Sequence, residues 1–367
     1  MRALLVANTG WYLYNFRLPL AKALRKQGWE VILVSPVDSY SSELQEQGFH
    51  WVPFPMSRKG LNPLIELWTI ISLIRLYHRE QPDVVHHFTL KCVLYGTIAA
   101  KFSGATKIIN AITGLGYIFS EGGVKTRLLR SFLRWIYRPV LMNTSVVFQN
   151  TDDLNEFING GWVDLNQVHL IFGSGVDVDK FIPTEEPDGK VTVLLASRML
   201  WPKGIMEFVK AAGIIRSQDI NAQFVLVGDT DLGNPDAVPL EMLKSWNIEG
   251  LVQWWGWVDN MVSAYQKAHI VCLPSYYREG LPRVLIEASA MGRPIVTTDS
   301  PGCREVVHAG ENGLIVPAHD EQALAQALKK LILDPELRKK MGKQGRTIAL
   351  RDYSLSIILE KTLSLYA

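Results

Sequence analysis

The chain of 367 residues, 48% hydrophobic and 20% charged, exceeds the size at which one core usually keeps growing, which predicts two globular domains and excludes a disordered chain. Its formal net charge of +2 lacks the basic excess of nucleic-acid binders, so no nucleic-acid partner is expected. Cys92, Cys272 and Cys303 lie far apart without the neighbours that would complete a metal-ligand pattern, and point to a reduced, cytoplasmic compartment.

The first apolar run, residues 3–7, is followed by Asn8-Thr9-Gly10. It is shorter than the core of a signal peptide and reads as a buried strand. Further runs at 31–34, 84–88, 107–111 and 146–149 alternate with helical patterns such as 18–27 and 64–79. That alternation predicts parallel strands joined by right-handed crossovers, a doubly wound α/β sheet. The most apolar internal segment, 64–76, is interrupted by Glu66 and Arg75 and is too short to span a bilayer. Gly, Pro and acidic residues then cluster from Gly173 to Gly189 without apolar periodicity and read as a linker. Strand-like runs resume at 191–196, 224–227, 252–255, 270–273 and 295–298, predicting a second sheet of the same kind. The expected domains are 1–175 and 176–351, with a final helix in 352–367, set off by Asp352-Tyr353-Ser354, returning to the first domain. Sheets of this type hold ligands at the carboxyl ends of their strands, so the expected site is a cleft between the two.

The stretch from Pro274 to Ala288 reads as strand end, loop and helix. Pro282 suits a first helical turn, where its missing N–H is not needed. The backbone N–H groups of Leu281, Arg283 and Val284 then form an anion site reinforced by the helix dipole, of the right kind for a diphosphate. Glu279 in the loop and Glu287 eight residues on can accept bidentate hydrogen bonds from vicinal sugar hydroxyls. The structural alternative is that Glu287 pairs with Arg283 one turn earlier and Glu279 is a solvated acid. Arg198 and Lys203, in Ser197-Arg198-Met199-Leu200-Trp201-Pro202-Lys203-Gly204, fall at an equivalent strand end, where two cations can neutralise a leaving diphosphate without a metal. Asp177-Val178-Asp179 and Asp229-Thr230-Asp231 resemble an acidic metal-binding string, but the first sits in the linker and the second in a loop, and no metal is expected.

These motifs, with Asn8-Thr9-Gly10, the junction from Gly175-Val176-Asp177 to Phe181-Ile182-Pro183, and Val227-Gly228, resemble retaining glycosyltransferase family 4 over nearly the whole chain. The resemblance implies the GT-B fold of two Rossmann-like domains and metal-independent transfer with retention. It also implies Arg198 and Lys203 on the donor diphosphate, Glu279 on the donor sugar, Glu287 on the ribose and Gly10 leaving room for the phosphates. Gly280, Leu281, Arg283 and Val284 then line the donor's anion site. Trp254-Trp255-Gly256-Trp257 lies where similar enzymes recognise the base through backbone groups, and a core role for these rings is an equal alternative.

On the acceptor side, many family members carry a histidine where this chain has Thr113-Gly114. His87 is the candidate polar contact, with a satisfied structural histidine as an equal alternative. Phe16-Arg17-Leu18-Pro19-Leu20, His86-His87-Phe88-Thr89-Leu90-Lys91 and Thr113-Gly114-Leu115-Gly116-Tyr117 are similar to a bacterial subgroup that adds N-acetylhexosamines to undecaprenyl-diphosphate-linked saccharides. That similarity implies a UDP-N-acetylhexosamine donor and a lipid-linked acceptor. Between Lys125 and Val140, Lys125, Arg127, Arg130, Arg134 and Arg138 interleave with apolar and aromatic residues. Such a helix can lie on an anionic membrane, here the inner face of the cytoplasmic membrane, or simply cover the sheet with a solvated basic face. A nicotinamide oxidoreductase is disfavoured because Gly114-Leu115-Gly116 lacks the third glycine of the dinucleotide fingerprint. A UDP-sugar epimerase and a non-enzymatic nucleotide-sugar-binding protein remain as alternatives.

Overall fold

The computed structural model describes residues 1–56, 62–115, 124–231 and 233–367, and of residues 124–132 the backbone alone. It divides into two compact units, Met1–Ser174 with Ile358–Ala367, and Gly175–Ile357.

In the first unit the strands are β1 (Arg2–Val6), β2 (Glu30–Ser35), β3 (His50–Pro53), β4 (Val84–Phe88), β5 (Lys107–Ile112), β6 (Ser145–Phe148) and β7 (Val168–Leu170). They form a parallel sheet ordered β3-β2-β1-β4-β5-β6-β7. Period-two alternation divides each central strand between two cores. Leu4 and Val6 face Leu73, Leu76 and Tyr77 of the helix Pro63–Glu80, while Ala3 and Leu5 face Leu20 and Leu24 together with Ile358, Leu365 and Tyr366 of the chain's end. The helix Pro63–Glu80 starts where Asn62 accepts the N–H of Leu64 and Pro63 fills the first turn. Its inner face carries Glu66, paired with Lys91 at 2.7 Å. Leu64, Ile65, Leu67 and Trp68 point outward and are exposed.

The second unit contains β8 (Val191–Ala196), β9 (Ala222–Val227), β10 (Gln253–Trp254), β11 (Ile270–Leu273), β12 (Ile295–Thr298) and β13 (Gly313–Val316), parallel and ordered β10-β9-β8-β11-β12-β13. The stretch read as a linker is instead strapped to this unit over most of its length. Arg346 binds the carbonyls of Val178 and Phe181, Arg293 holds Thr184 and the carbonyl of Glu185, and Arg338 forms a two-pronged pair with Glu186. Its Gly and Pro content therefore records an irregular backbone rather than a free tether.

Each sheet reverses its strand order at one place, β1/β4 in the first unit and β8/β11 in the second. Connections diverge from such a switch point and leave a crevice at the carboxyl ends.

Candidate functional site

At the switch point of the second unit two loops are fastened together. The turn Trp201–Lys203 after β8 presents the Pro202 carbonyl, which accepts the N–H groups of Tyr276 and Tyr277 at 3.0 and 3.1 Å and the Ser275 hydroxyl at 3.2 Å, all from the loop after β11. This fastening brings together residues 76 apart: Lys203 Nζ donates to Glu279 Oε1. Ser275 Oγ donates to the same oxygen at 3.3 Å, and the ammonium lies 5.3 Å from the Tyr277 ring centre. Lys203 is buried, so the pair sits in a poorly solvated place where charge acts strongly. Gly302 lies against the Glu279–Gly280 backbone. At φ +80° a side chain there would meet the Gly280 carbonyl at 2.5 Å, so the Pro301-Gly302 turn also sets this loop.

Arg198, half exposed, pairs with Asp231 at 2.7 Å, and Asn234 donates to the same carboxylate oxygen at 3.0 Å. Of the acidic string around Asp229, Asp231 is thus a partner that holds a cation. Among the described residues no three His, Cys, Asp or Glu gather as a metal-binding group.

Glu287 is 7% exposed. Its Oε1 accepts from Arg283 Nε at 2.7 Å and its Oε2 from the Tyr265 hydroxyl at 2.9 Å. The pairing with Arg283 that the sequence left as an alternative is therefore present, with Tyr265 as a further partner. Burial pushes the Glu287 carboxyl up, against the pull of Arg283 and Tyr265; burial and the Glu287 charge push the Tyr265 phenol well up. Each carboxylate oxygen still has a lone pair for another donor. Pro282 is the N-cap, not the first helical residue, because its ψ of 115° is extended and the helix starts at Arg283. The N–H groups of Leu281 and Val284 have no acceptor among the described residues, as expected at a helix start. Gly280 is buried beside them.

A side chain on Gly10, in the first unit, would meet Asp38 Oδ1 at 2.4 Å. Asp38 accepts the N–H groups of Trp11 and Tyr40, each at 3.0 Å. A side chain at position 10 would therefore collide with this loop-capping carboxylate, which accounts for the glycine on structural grounds. Thr113 is half-buried just past β5, while Gly116 and Tyr117 of its motif lie outside the described residues, as do the side chains of Lys125, Arg127 and Arg130.

His87 is a core residue, which corrects its assignment as an acceptor contact. It is fully buried, its Nδ1 bonds Asn110 Oδ1 at 2.9 Å and its Nε2 bonds the Tyr77 hydroxyl at 3.0 Å. Both ring nitrogens are used and no surface is left for a ligand. Burial lowers its pKa to about 4, opposed by the Asn110 hydrogen bond. In a parallel strand covered on both faces, polarity does not reveal which side chains reach the surface.

The indoles from Trp254 to Trp257 are tied locally. Trp254 donates to the Gly228 carbonyl at 2.8 Å and Trp257 to Asp259 at 2.7 Å. Beside them Trp255, Val258, Ser263, Ala264 and Lys267 line a concavity of about 390 Å³. Sequence reasoning missed Asp231 as the Arg198 partner, and missed Tyr265 and Gly302. The acidic string was visible without its role, and the single Tyr and the Pro-Gly turn give no signal of what they touch.

Comparison with known proteins bears on the family and the fold. The family described as "Glycosyl transferases group 1" matches residues 178–348 and the one described as "Glycosyl transferase 4-like" matches residues 2–151. The N,N'-diacetylbacillosaminyl-diphospho-undecaprenol alpha-1,3-N-acetylgalactosaminyltransferase of Campylobacter jejuni is 30% identical over 100% of this chain and 98% of its own. The UDP-Gal:alpha-D-GlcNAc-diphosphoundecaprenol alpha-1,3-galactosyltransferase of Escherichia coli is 23% identical over 85% of this chain and 82% of its own. Among solved structures, Anabaena HepE in complex with UDP and glucose superposes with a TM-score of 0.82 at 18% identity, covering 99% of this chain and 98% of that one. A glycosyltransferase from Rickettsia africae gives 0.81 at 20% identity, covering 100% and 97%. With two doubly wound sheets and family matches over nearly its whole length, the chain belongs to the group 1 and 4-like glycosyltransferases and has the GT-B fold.

Proposed function

We propose that this glycosyltransferase moves an N-acetylhexosamine, with retention, from a UDP-sugar to a saccharide carried on a polyprenyl diphosphate, in the assembly of a surface glycan. The observation that carries the reading is the buried Lys203–Glu279 pair at the β8/β11 switch point, with Arg198 beside it in the same strand-end turn. One cation and one acid held this close offer a charge for a departing diphosphate and an acceptor for sugar hydroxyls. The bond from the anomeric carbon to the phosphate oxygen breaks as Lys203, Arg198 and the N–H groups of Leu281 and Val284 stabilise the growing negative charge. The acceptor oxygen bonds to the same face of that carbon, and its proton passes to the leaving phosphate. Glu279 contacts the donor sugar, and Glu287, oriented by Arg283 and Tyr265, contacts the ribose. The metal-free reading rests on these side-chain cations. Support for this donor and acceptor comes from the full-length similarity to the Campylobacter enzyme.

The same reading places the chain on the inner face of the cytoplasmic membrane. No described helix is long and apolar enough to cross a membrane. The outer turns of Pro63–Glu80 expose Leu64, Ile65, Leu67 and Trp68, with Arg75 5.4 Å from the Trp68 ring centre. In Val124–Leu141, Trp135 is 76% exposed between the exposed Arg134 and Arg138. Apolar and basic groups side by side suit an anionic lipid surface.

The test incubates the protein with a panel of UDP-sugars, with and without undecaprenyl-diphosphate saccharides. UDP release, lipid product mass and the anomeric configuration of the product by NMR are followed. Acceptor-dependent release with one added α-linked sugar is expected. Turnover without acceptor would point to an epimerase or hydrolase, and donor binding without turnover to a binding protein.

A further inference from the structure

Three arginines are buried among the described residues, and two of them are conventionally satisfied. Arg338, 4% exposed, has the Glu186 carboxylate and the carbonyls of Leu331 and Ile332; Arg293, 2% exposed, has the carbonyls of Tyr265 and Glu185 and the Thr184 hydroxyl. Arg17 differs. It is 6% exposed, yet its hydrogen bonds go to one neutral group, the Tyr12 hydroxyl, from Nε at 3.1 Å and Nη2 at 2.7 Å. No carboxylate or carbonyl accepts from it among the described residues. Nη1 has no partner there, and it is not one of the atoms sealed from solvent. An arginine stays charged, and a buried charge is normally paired, so this guanidinium lacks an anion and has one corner open to receive it.

Its position fits a ligand. Arg17 closes the π-helical turn Leu13–Arg17, an irregularity that recurs at functional sites. Helical side chains lean toward the N-terminus of their helix, here back toward the carboxyl edge of the sheet. The guanidinium comes to rest 4.4 Å from the ring centre of Phe88, the last residue of β4. That is beside the β1/β4 switch point, where ligands of such sheets bind. The nearby imidazole of His86, which feels the Arg17 charge, is buried with Nδ1 2.8 Å from the Tyr366 hydroxyl. It is held neutral by burial and by the Arg17 charge, and supplies no counter-ion.

We propose that Arg17 is a phosphate-binding residue of the first unit, its Nη1 donating to an anionic oxygen of a diphosphate. The identification of the ligand rests on the proposed function, which supplies two diphosphates, one on the lipid-linked acceptor and one in the sugar nucleotide.

The test uses inorganic pyrophosphate, so it needs no turnover and can fail independently of the transferase reading. Binding is measured calorimetrically on protein saturated with UDP, for the wild type, Arg17→Met and Arg17→Lys, with UDP affinity measured separately. If the acceptor diphosphate is the ligand, the UDP-saturated wild type binds pyrophosphate. Arg17→Met then weakens it about tenfold or more, the scale of one charge-assisted hydrogen bond, and Arg17→Lys recovers part of it. The KM for the lipid-linked acceptor rises in step while that for UDP-sugar stays put. If the donor is the ligand, UDP affinity itself falls by a similar factor. Should Arg17→Met fail to fold, by circular dichroism and melting temperature, Arg17→Lys decides on the same readouts. Unchanged affinities for both ligands in a folded variant would reduce Arg17 to a clamp on Tyr12 and Phe88 and overturn the proposal.

Discussion

The two units reverse their strand order in the same way, yet they furnish their carboxyl edges in opposite styles. In the second unit the charged groups come in pairs: Arg198 with Asp231, Lys203 with Glu279, Arg283 with Glu287. Near the corresponding edge of the first unit Lys91 is likewise paired, with Glu66, but Arg17 stands among aromatic rings and a neutral pair of histidines without an acid. The difference teaches how an edge prepares for charge. In the proposed function, the cations that meet a departing diphosphate are held in place beforehand by acids, so little reorganisation accompanies the reaction. The largest expected effect tests that idea. Lys203→Met should lower kcat by about 10²–10³-fold, the scale for loss of one preorganised charge donor, with donor KM less affected. Glu279→Gln, which keeps the shape and removes the charge that orients Lys203, should fall short of that loss. Activity within a few-fold of wild type in Lys203→Met would break the comparison.

How much of this was legible in the sequence depended on burial. The runs 84–88, 191–196, 270–273 and 295–298 coincide with β4, β8, β11 and β12 because these inner strands are covered on both faces and are rich in apolar and β-branched residues. The strands β3, β7 and β13, which the pattern did not reveal, all lie at sheet edges. Segments such as His50-Trp51-Val52-Pro53 and Val168-His169-Leu170 are short and mixed in polarity. The stretch from Pro274 to Ala288 was readable because Pro, Gly and charge cluster between an apolar strand and a helix. The partners of the charged site residues were not: Asp231 meets Arg198 across 33 positions and Tyr265 meets Glu287 across 22, distances over which a single sequence carries no register. Arg17 follows a similar rule, since a lone cation in an amphipathic stretch reads as solvated until Phe88 is folded against it.

Titration sharpens the same contrast. His87 holds a pKa of about 4 in the folded chain against an ordinary value near 6.5, so the unfolded chain takes up the proton first. The stability contributed by the neutral, buried ring is complete above about pH 6.5. It is lost as pH falls toward about 4, on the order of 3 kcal/mol in all. His86, lowered chiefly by burial, acts in the same direction. In the second unit Glu287 has the opposite sign. Its folded pKa is raised, so its contribution is present at low pH and lost as pH rises through the folded value. His269 there is lowered by burial and opposes Glu287 in part. Hydrogen exchange resolved by peptide at pH 7 and pH 5 should show the first unit losing protection well before the second, most clearly around β4 and β5. Equal loss in both units would remove the histidine pair as the acid-sensitive element.

The smallest effect on turnover concerns the outer surface of the first unit. In a helix serving only to cover a sheet, the outward residues are polar; in Pro63–Glu80 the acid Glu66 turns inward to Lys91 and the apolar Leu64, Leu67 and Trp68 turn outward. That inversion costs nothing if those side chains rest in a lipid interface, where each Leu or Trp gains about 1.5–3 kcal/mol on burial and each nearby Arg about 1 kcal/mol on an anionic leaflet. Vesicles rich in phosphatidylglycerol should therefore sediment the wild type. The pair Leu64→Ser with Trp68→Ser should weaken that binding by about a hundredfold or more, and Arg134→Glu with Arg138→Glu by about thirtyfold or more. Transfer to a short, water-soluble diphosphate saccharide should stay unchanged in both, because neither pair is among the residues proposed to bind donor or acceptor. If the serine pair binds vesicles as the wild type does while the glutamate pair does not, contact is electrostatic through Val124–Leu141 alone. If both bind normally, the exposed apolar turn faces something other than lipid, and a self-associating chain in light scattering would identify it as a second copy.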